Sequence, residues 1–416
     1  SLGANTTGAS NVAVGKDALT ANTTASNNIA IGVDAATAIT TGGSNVAIGT
    51  SALQTATTAA NNTAIGTSSL AANTSGTANV AVGYAALDAN TTGGSNTALG
   101  SSALGANTTG SNHTAVGKDA LLVSTAGGYD TAIGDSVLKA NTTGNYNTGV
   151  GASALAANTT TSNHTAVGYA ALSSNTTGVN NTAVGKDSMR ATTTGTRNVA
   201  VGNASLEINT TGDDNVALGD YALYNNTTAN NNVAIGKDAM LSNTTGTENV
   251  AVGYTSLDAN TTGSYNTAVG TDSMSANTTG QENVSVGWNS LDANTTGNYN
   301  VAIGASALGV NTTAASNTAV GYGSLTANTT GTTNVAVGST AMAANTTADN
   351  NTGIGAASMN GNTTGTRNTA VGSDSLKVNT TGNDNTAVGK GALTANTTAS
   401  NNTAVGKNAL AANTTG

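Results

Sequence analysis

Asn11-Val12-Ala13-Val14-Gly15 is the first complete copy of a block that returns as Asn45-Val46-Ala47-Ile48-Gly49 and runs on through the chain. Its glycine, the repeat glycine, recurs every seventeen residues from Gly15 to Gly406, with no insertion or deletion. Similarity at one fixed period indicates a repeat protein, in which each unit contacts only its neighbours along an axis. The sequence therefore predicts one continuous array over residues 1–416, without a capping unit at either end.

Three columns of the repeat carry apolar residues. The Val/Thr column, three residues before the repeat glycine, is always Val, Ile or Thr, and the Val/Ile column, just before the glycine, is always Val, Ile or Leu. β-Branched residues two apart indicate one face of a short strand. The Leu column, four residues after the glycine, is Leu or Met in every copy except Ala36 and contains all five Met of the chain, which indicates packing positions.

These columns predict an all-β fold, a parallel β-solenoid or β-roll of about twenty-four coils. Each coil would contain the strand Asn-Thr-Ala-Val-Gly, a turn, a shorter extended piece around Ala-Leu-x-Ala, and an Asn-Thr-Thr-Gly turn. One helical turn around Ala-Leu-x-Ala is the alternative there. Because each coil has few large aliphatic side chains to bury, we also expect chains to associate laterally.

The Ala column, two residues before the repeat glycine, is Ala in all but three copies. On a strand it points away from the Val/Thr and Val/Ile side chains, and a solvent-facing position should vary more than this one does. We predict that it forms a strip through which chains pack. The strip includes Ala13, Ala30, Ala47, Ala64, Ala81 and Ala98.

Composition argues against several classes of function. Charged residues make up 7% of the chain and the net charge is −9, so no basic stripe is available for nucleic acid. No run approaches eighteen apolar residues, so this segment is not expected to insert into a membrane. There is no Cys, and neither a Ser/His/Asp set nor a pair of carboxylates recurs in a unique context. We expect no enzyme activity, no metal and no cofactor.

The two histidines stand in a column of asparagines, the first Asn column, four residues before the repeat glycine. His113 and His164 are three coils apart, roughly 14 Å along the axis, which is too far to share a metal ion. We predict that they replace Asn in a polar ladder. Several copies carry Asp two residues after the glycine, as in Lys16-Asp17, which predicts a solvated edge, with a calcium ladder as the alternative.

Residues that could recognise a partner lie in the variable columns. The aromatic column, just after the repeat glycine, holds Tyr84, Tyr169, Tyr254, Trp288 and Tyr322. Exposed aromatic rings can stack on sugars or anchor a protein partner. The Asn-Thr-Thr triplets are formal acceptors of N-linked or O-linked glycans, the alternative being a stacked Asn/Thr ladder. The candidate acceptors are Asn22, Asn73, Asn90, Thr23 and Thr24.

The block Asn-x-Ala-[Val/Ile]-Gly, seen in residues 11–15 and 45–49, resembles the head repeats of trimeric autotransporter adhesins. It is also similar to repeats of some bacteriophage tail-fibre proteins. The resemblance implies a left-handed parallel β-roll, three chains assembled side by side, and a surface that binds host or matrix molecules.

We therefore expect a structural repeat protein that forms an extracellular, cell-surface or virion-surface fibre with a multivalent adhesive surface. Its expected partners are copies of itself, as a trimer or filament, together with surface glycans or host and matrix proteins. The alternative function is an ice-binding solenoid. It would use Thr at the eighth position after the glycine, as in Thr23, Thr40 and Thr414, and the Thr that follows in most copies.

Overall fold

A computed structural model describes residues 1–414; residues 415 and 416, which belong to the predicted array, lie outside the described residues. It divides the chain into two compact units, Ser1–Thr211 and Gly212–Gly416. Each unit is a stack of short parallel strands, and the described residues contain no helix. The predicted all-β solenoid with a seventeen-residue repeat is thus confirmed. That the repeat forms one uninterrupted array stays a prediction.

The first unit contains twelve three-residue strands, each running from the Val/Thr column to the Val/Ile column. Neighbouring strands pair in parallel, so residues seventeen apart lie side by side, as Ala47 and Ala64 do. The strands are β1 (Val12–Val14), β2 (Ile29–Ile31), β3 (Val46–Ile48), β4 (Thr63–Ile65), β5 (Val80–Val82), β6 (Thr97–Leu99), β7 (Thr114–Val116), β8 (Thr131–Ile133), β9 (Thr148–Val150), β10 (Thr165–Val167), β11 (Thr182–Val184) and β12 (Val199–Val201).

The second unit repeats this arrangement with the same register, as in the pairing of Ala251 with Ala268. Its strands are β13 (Val216–Leu218), β14 (Val233–Ile235), β15 (Val250–Val252), β16 (Thr267–Val269), β17 (Val284–Val286), β18 (Val301–Ile303), β19 (Thr318–Val320), β20 (Val335–Val337), β21 (Thr352–Ile354), β22 (Thr369–Val371), β23 (Thr386–Val388) and β24 (Thr403–Val405).

The rest of each coil consists of turns and bends. The repeat glycine leaves the strand with φ between 114° and 143°, and at Gly236 a Cβ atom would lie 2.3 Å from the carbonyl oxygen of Gly253 in the next coil. The predicted second extended piece around Ala-Leu-x-Ala is wrong, because these residues form a turn. Its Leu column has φ between 45° and 55°, a left-handed bend that folds the chain back toward the start of the next strand.

The interior of each coil contains the Ala and Leu columns. Leu53 and Leu155 have no exposed surface, whereas Ile133 and Ile303 of the Val/Ile column are 40% exposed. The prediction that the Ala column is a chain-packing strip is therefore wrong. Ala30, Ala47, Ala64, Ala81 and Ala98 have no exposed surface within the single chain, so no second chain can reach them, and Ala13 is half-buried in the first coil.

Two ladders of buried asparagine connect the coils. In the first Asn column, Asn28 Oδ1 accepts the backbone N–H of Asn45 at 2.9 Å. In the second Asn column, seven residues after the repeat glycine, Asn73 Oδ1 accepts from Nδ2 of Asn90 at 2.9 Å, and that same Nδ2 also donates to the carbonyl of Gly93. These amides satisfy backbone groups of the turns inside the coil, where water cannot reach them.

Candidate interaction surfaces

The outward side of the strands is an uncharged surface of aliphatic and Thr side chains in each unit. We call it the β face and define it as the side chains of the Val/Thr and Val/Ile columns. Ile65, Leu99 and Val201 are 37–39% exposed within the chain, and their Val/Thr-column neighbours are half-buried. No charged residue occurs in either column. A stripe of aliphatic and Thr side chains at strand spacing is of the kind that marks protein interfaces.

The inward direction of the Ala column has a signal in the sequence. Two of its three exceptions are Gly residues that face a larger side chain inside the coil, and the third, Ser285, is hydrogen-bonded to Ser273 there. Gly149 faces Val137, whose Cγ1 would lie 2.5 Å from an added Cβ, and Val137 is the one Val at its position, three residues after the glycine, where the other copies have Ala or Ser. Gly353 likewise faces Met342 at 2.9 Å. Such pairing of larger with smaller residues is typical of a packed interior.

The two Thr columns face different surroundings. In the first, eight residues after the glycine, the hydroxyl donates to the carbonyl of the Thr in the next coil, as from Thr91 to Thr108 at 2.9 Å. These hydroxyls are therefore committed to the ladder between coils. The second Thr column, which includes Thr24 and Thr92, is exposed. Of the two columns named for ice binding, this one presents its side chains to solvent.

The predicted N-linked glycan acceptors are wrong. Asn22, Asn73 and Asn90 have no exposed surface, because their side chains form the second Asn column inside the coil. Thr23 is half-buried, and its hydroxyl donates to the carbonyl of Thr40 at 3.2 Å. Thr24, in the exposed column, is the member of the set that an O-linked sugar could reach.

The aromatic column is exposed at every residue singled out from the sequence. The exposed fractions are 64% for Tyr84, 58% for Tyr169, 51% for Tyr254, 58% for Trp288 and 66% for Tyr322. The backbone here is held by the ladder between coils, since Tyr254 O accepts from the N–H of Asp272 at 3.1 Å. The backbone positions of these residues are thus fixed along the stack, and of the five rings Tyr254 has a cation over its face, the Lys237 ammonium 5.5 Å from the ring centroid.

A second set of exposed rings lies five residues before the repeat glycine. Tyr129 and Tyr146, in neighbouring coils, stack with ring centroids 5.2 Å apart. Tyr265 and Tyr299 occupy the same column in the second unit, two coils apart. A cleft of about 420 Å³ is lined by Tyr265 and by Glu282, which precedes the intervening strand β17.

The interior of the first unit contains a buried ionisable pair. His113 and Asp130 occupy the first Asn column in adjacent coils, with His113 Nδ1 3.6 Å from Asp130 Oδ2. Burial raises the pKa of Asp130 to about 7, although hydrogen bonds from Asn147 and Asn141 oppose the shift. Burial lowers the pKa of His113 to about 4, although the hydrogen bond to the Gly127 carbonyl opposes this shift. The predicted place of both histidines in a polar ladder is confirmed.

His164 occupies a similar position three coils further along. Its Nδ1 accepts the backbone N–H of Asn181 at 3.3 Å, and Nε2 lies 3.0 Å from the hydroxyl of Thr161. Burial lowers the pKa of His164 to about 4. Both histidines therefore act as neutral replacements for asparagine at neutral pH.

Surface carboxylates pair with lysines next to them in sequence. The Lys16 ammonium lies 3.9 Å from Asp17 and that of Lys186 lies 3.2 Å from Asp187, with the lysine side chains 80% and 65% exposed. Exposed pairs of this kind contribute little to stability. Within residues 1–414, no three His, Asp or Glu residues converge in a metal-binding arrangement.

The sequence matches no protein-family model and no curated protein. In the described part of the chain, no helix is long and apolar enough to cross a bilayer.

Proposed function

We propose that this chain is the structural shaft of an extracellular, cell-surface or virion-surface fibre, in which copies pack side by side through the β face. The observation that carries the proposal is the half-exposed stripe of aliphatic and Thr side chains, which has no charged residue in any copy. Burying such a surface against another protein stabilises the complex by about 25 cal/mol for each Å² of apolar area removed from water.

The periodicity of the β face favours a second copy of the chain as its partner. Every strand presents nearly the same pair of side chains, so two such faces match each other coil by coil over their length. A partner of unrelated sequence would gain nothing from this exact repetition. The resemblance to trimeric autotransporter adhesin heads adds the expectation of three copies, and the exposed variable columns would serve multivalent adhesion to glycans or host proteins.

The experiment measures the particle mass of the purified chain by light scattering and sedimentation. We expect a multimer that dissociates when four Val/Ile-column residues are replaced together by Glu, namely Val116, Val150, Val167 and Val184. The matched control places four Glu in the exposed Thr column of the same region, at Thr143, Thr160, Thr177 and Thr194, and should keep its mass. A wild-type chain that is monomeric at micromolar concentration would contradict the proposal.

The alternative is ice binding, and one feature of the β face favours it. Six successive strands, β6 to β11, carry Thr in the Val/Thr column, which gives a regular array of hydroxyl and methyl groups at a spacing of about 4.8 Å. Such an array could order water at the pitch of the strands. Thermal hysteresis of the purified chain, lost on replacing Thr131 and Thr148 by Lys, would displace the fibre proposal; its absence would remove the alternative.

A further inference from the structure

Five of the eleven aromatic residues lie in five successive coils of the second unit. Tyr254, Trp288 and Tyr322 belong to the aromatic column of alternate coils, and Tyr265 and Tyr299 precede the strands between them. Trp288, the single Trp of the chain, occupies the centre of this group. The coils between the three column members carry Thr271 and Ala305, whose side chains are small. In the first unit, by contrast, Tyr84 and Tyr169 are five coils apart.

The ladder between coils fixes the spacing of the three rings. Strands β15 to β19 pair in register, and Trp288 O accepts the N–H of Ser306 at 3.0 Å just as Tyr254 O accepts that of Asp272. Members of one column therefore follow each other along the stack at about 4.8 Å per coil, and rings in alternate coils are about 10 Å apart. All three rings are at least 51% exposed.

This spacing fits one class of ligand. A β-1,4-linked polysaccharide is extended, and successive sugars are turned over, so the same pyranose face recurs at every second sugar, a length close to two coils. The C–H groups of a pyranose face stack on aromatic rings. Rings in alternate coils would contact alternate sugars from one side, while Thr271 and Ala305 leave room for the sugars between. An α-1,4-linked chain curves away from a straight row.

Polar groups beside Trp288 match the hydroxyl groups of such a ligand. Asn289 and Ser306, together with Asp292 and Gly309, line a notch of about 250 Å³. Asn289 Oδ1 is buried and has no hydrogen-bond partner among the described residues. Rotation of the Asn289 side chain into the notch would let this oxygen accept a hydrogen bond from a sugar hydroxyl. The net charge of −9 disfavours an anionic polysaccharide.

We propose that Tyr254, Trp288 and Tyr322 form a binding platform for a neutral β-1,4-linked polysaccharide of the cellulose or chitin type, lying parallel to the stack of coils in the second unit. This ligand would be bound by the adhesive surface of the proposed fibre. The inference rests on the proposed function in one respect: the aromatic column must stay accessible when copies of the chain pack together.

The test is co-sedimentation of the full chain with insoluble cellulose, chitin and, as the α-linked comparison, starch granules. We expect retention on cellulose or chitin and none on starch. Trp288→Ala should weaken retention about tenfold, whereas Tyr84→Ala, which removes an equally exposed but isolated ring from the same column, should leave it unchanged. Retention on neither β-linked polymer, or an equal loss in both variants, would overturn the inference.

A spacing control separates the platform from general stickiness. The double variant Trp288→Ala/Ala305→Trp keeps the number of exposed rings but moves the central ring by one coil, so it should bind as poorly as Trp288→Ala; wild-type retention would overturn the inference. Particle mass is measured on the same samples. A monomeric chain that binds cellulose contradicts only the fibre proposal, and a multimer that does not bind contradicts only the platform. A Trp288→Ala variant that dissociates would assign the ring to a chain interface instead.

Discussion

His113 Nδ1 faces Asp130 Oδ2 across 3.6 Å in adjacent coils, and neither side chain has exposed surface. His113 Nε2 lies 2.9 Å from the carbonyl of Gly127 and must donate to it, so Nδ1 carries a lone pair in the neutral ring. A lone pair opposite a carboxylate is unfavourable, and a proton on Asp130 removes the conflict. This geometry agrees with burial raising the pKa of Asp130 to about 7.

We expect Asp130→Asn to stabilise the first unit, and to do so more at pH 8 than at pH 5. The pKa of Asp130 rises from 3.8 in the unfolded chain to about 7 in the folded one, so its protonated form is favoured by folding. Its contribution to stability is complete below about pH 4 and is lost as the pH rises through 7. Asn is the usual residue of this column. It removes the free-energy cost of burying the ionised carboxylate, which is about 1–3 kcal/mol at pH 8.

The measurement for Asp130→Asn is the free energy of unfolding at pH 5 and pH 8, together with hydrogen exchange of the amides in β7 and β8. Exchange is needed because long repeat arrays do not always unfold in two states. The control is Asp213→Asn, which changes an Asp eleven residues after a repeat glycine in the other unit. An equal gain at both pH values would contradict the assigned pKa.

We expect the double variant His113→Asn/His164→Asn to resist acid better than the wild type. Burial lowers the pKa of both rings from 6.5 to about 4, so folding favours the neutral ring. Their contribution is present above pH 6.5 and is lost as the pH falls toward 4. Thermal unfolding between pH 7 and pH 4 should show a smaller fall in the variant. Parallel curves for the two proteins would rule this explanation out.

The sequence predicted the repeat, the strand position and the parallel register, because each depends on spacing alone. It did not predict which side of the strand faces inward. Alternation assigns Ala47 and Ile48 to opposite faces, but both faces are apolar, and size rather than hydrophobicity decides between them. The coil interior already holds the Leu column, so the strand can contribute only a small side chain there. The compensation between Val137 and Gly149 was the available clue.

Backbone conformation was the other feature that could not be read from residue types. Leu seldom adopts a left-handed conformation, yet Leu155 has φ of 53° because the coil must turn back within seventeen residues. Residue types predict the asparagines of the Asn-Thr-Thr triplets as turn residues, and the N-x-T pattern predicts them as glycan acceptors. Their side chains instead point inward, since the buried turn carbonyls need donors, as Gly93 O does from Asn90.

We expect Ser124→Asn to stabilise the first unit by about 1 kcal/mol. Ser124 interrupts the second Asn column, and neither Asn107 Oδ1 nor Ser124 Oγ has a hydrogen-bond partner among the described residues. Elsewhere in the column this oxygen accepts from the next coil, as Asn90 Oδ1 does from Asn107 at 2.9 Å. Thermal unfolding is the measurement, with Thr143→Asn on the exposed surface as the control. No gain over that control would contradict the role of the ladder.

We expect Gly236→Ala to destabilise the second unit by at least about 2 kcal/mol. Gly236 has φ of 133°, and its new Cβ would lie 2.3 Å from the carbonyl oxygen of Gly253, a backbone atom that is fixed by the stack. Gly309→Ala is the matched control, because the nearest atom to its Cβ would be 3.4 Å away. Denaturant unfolding compares the two. Equal stability of the variants would mean that the coils can separate enough to accept the methyl group.

Adjacent substitutions in β4 test the direction of the strand. Ala64 has no exposed surface and Ile65 is 37% exposed. We expect Ala64→Glu to place an unpaired carboxylate inside the coil and to cost more than about 3 kcal/mol, with fast hydrogen exchange in β3 to β5. Ile65→Glu should keep native exchange, since its carboxylate reaches water on the β face. If Ala64→Glu stayed folded and only lowered the particle mass, the Ala column would face another chain after all.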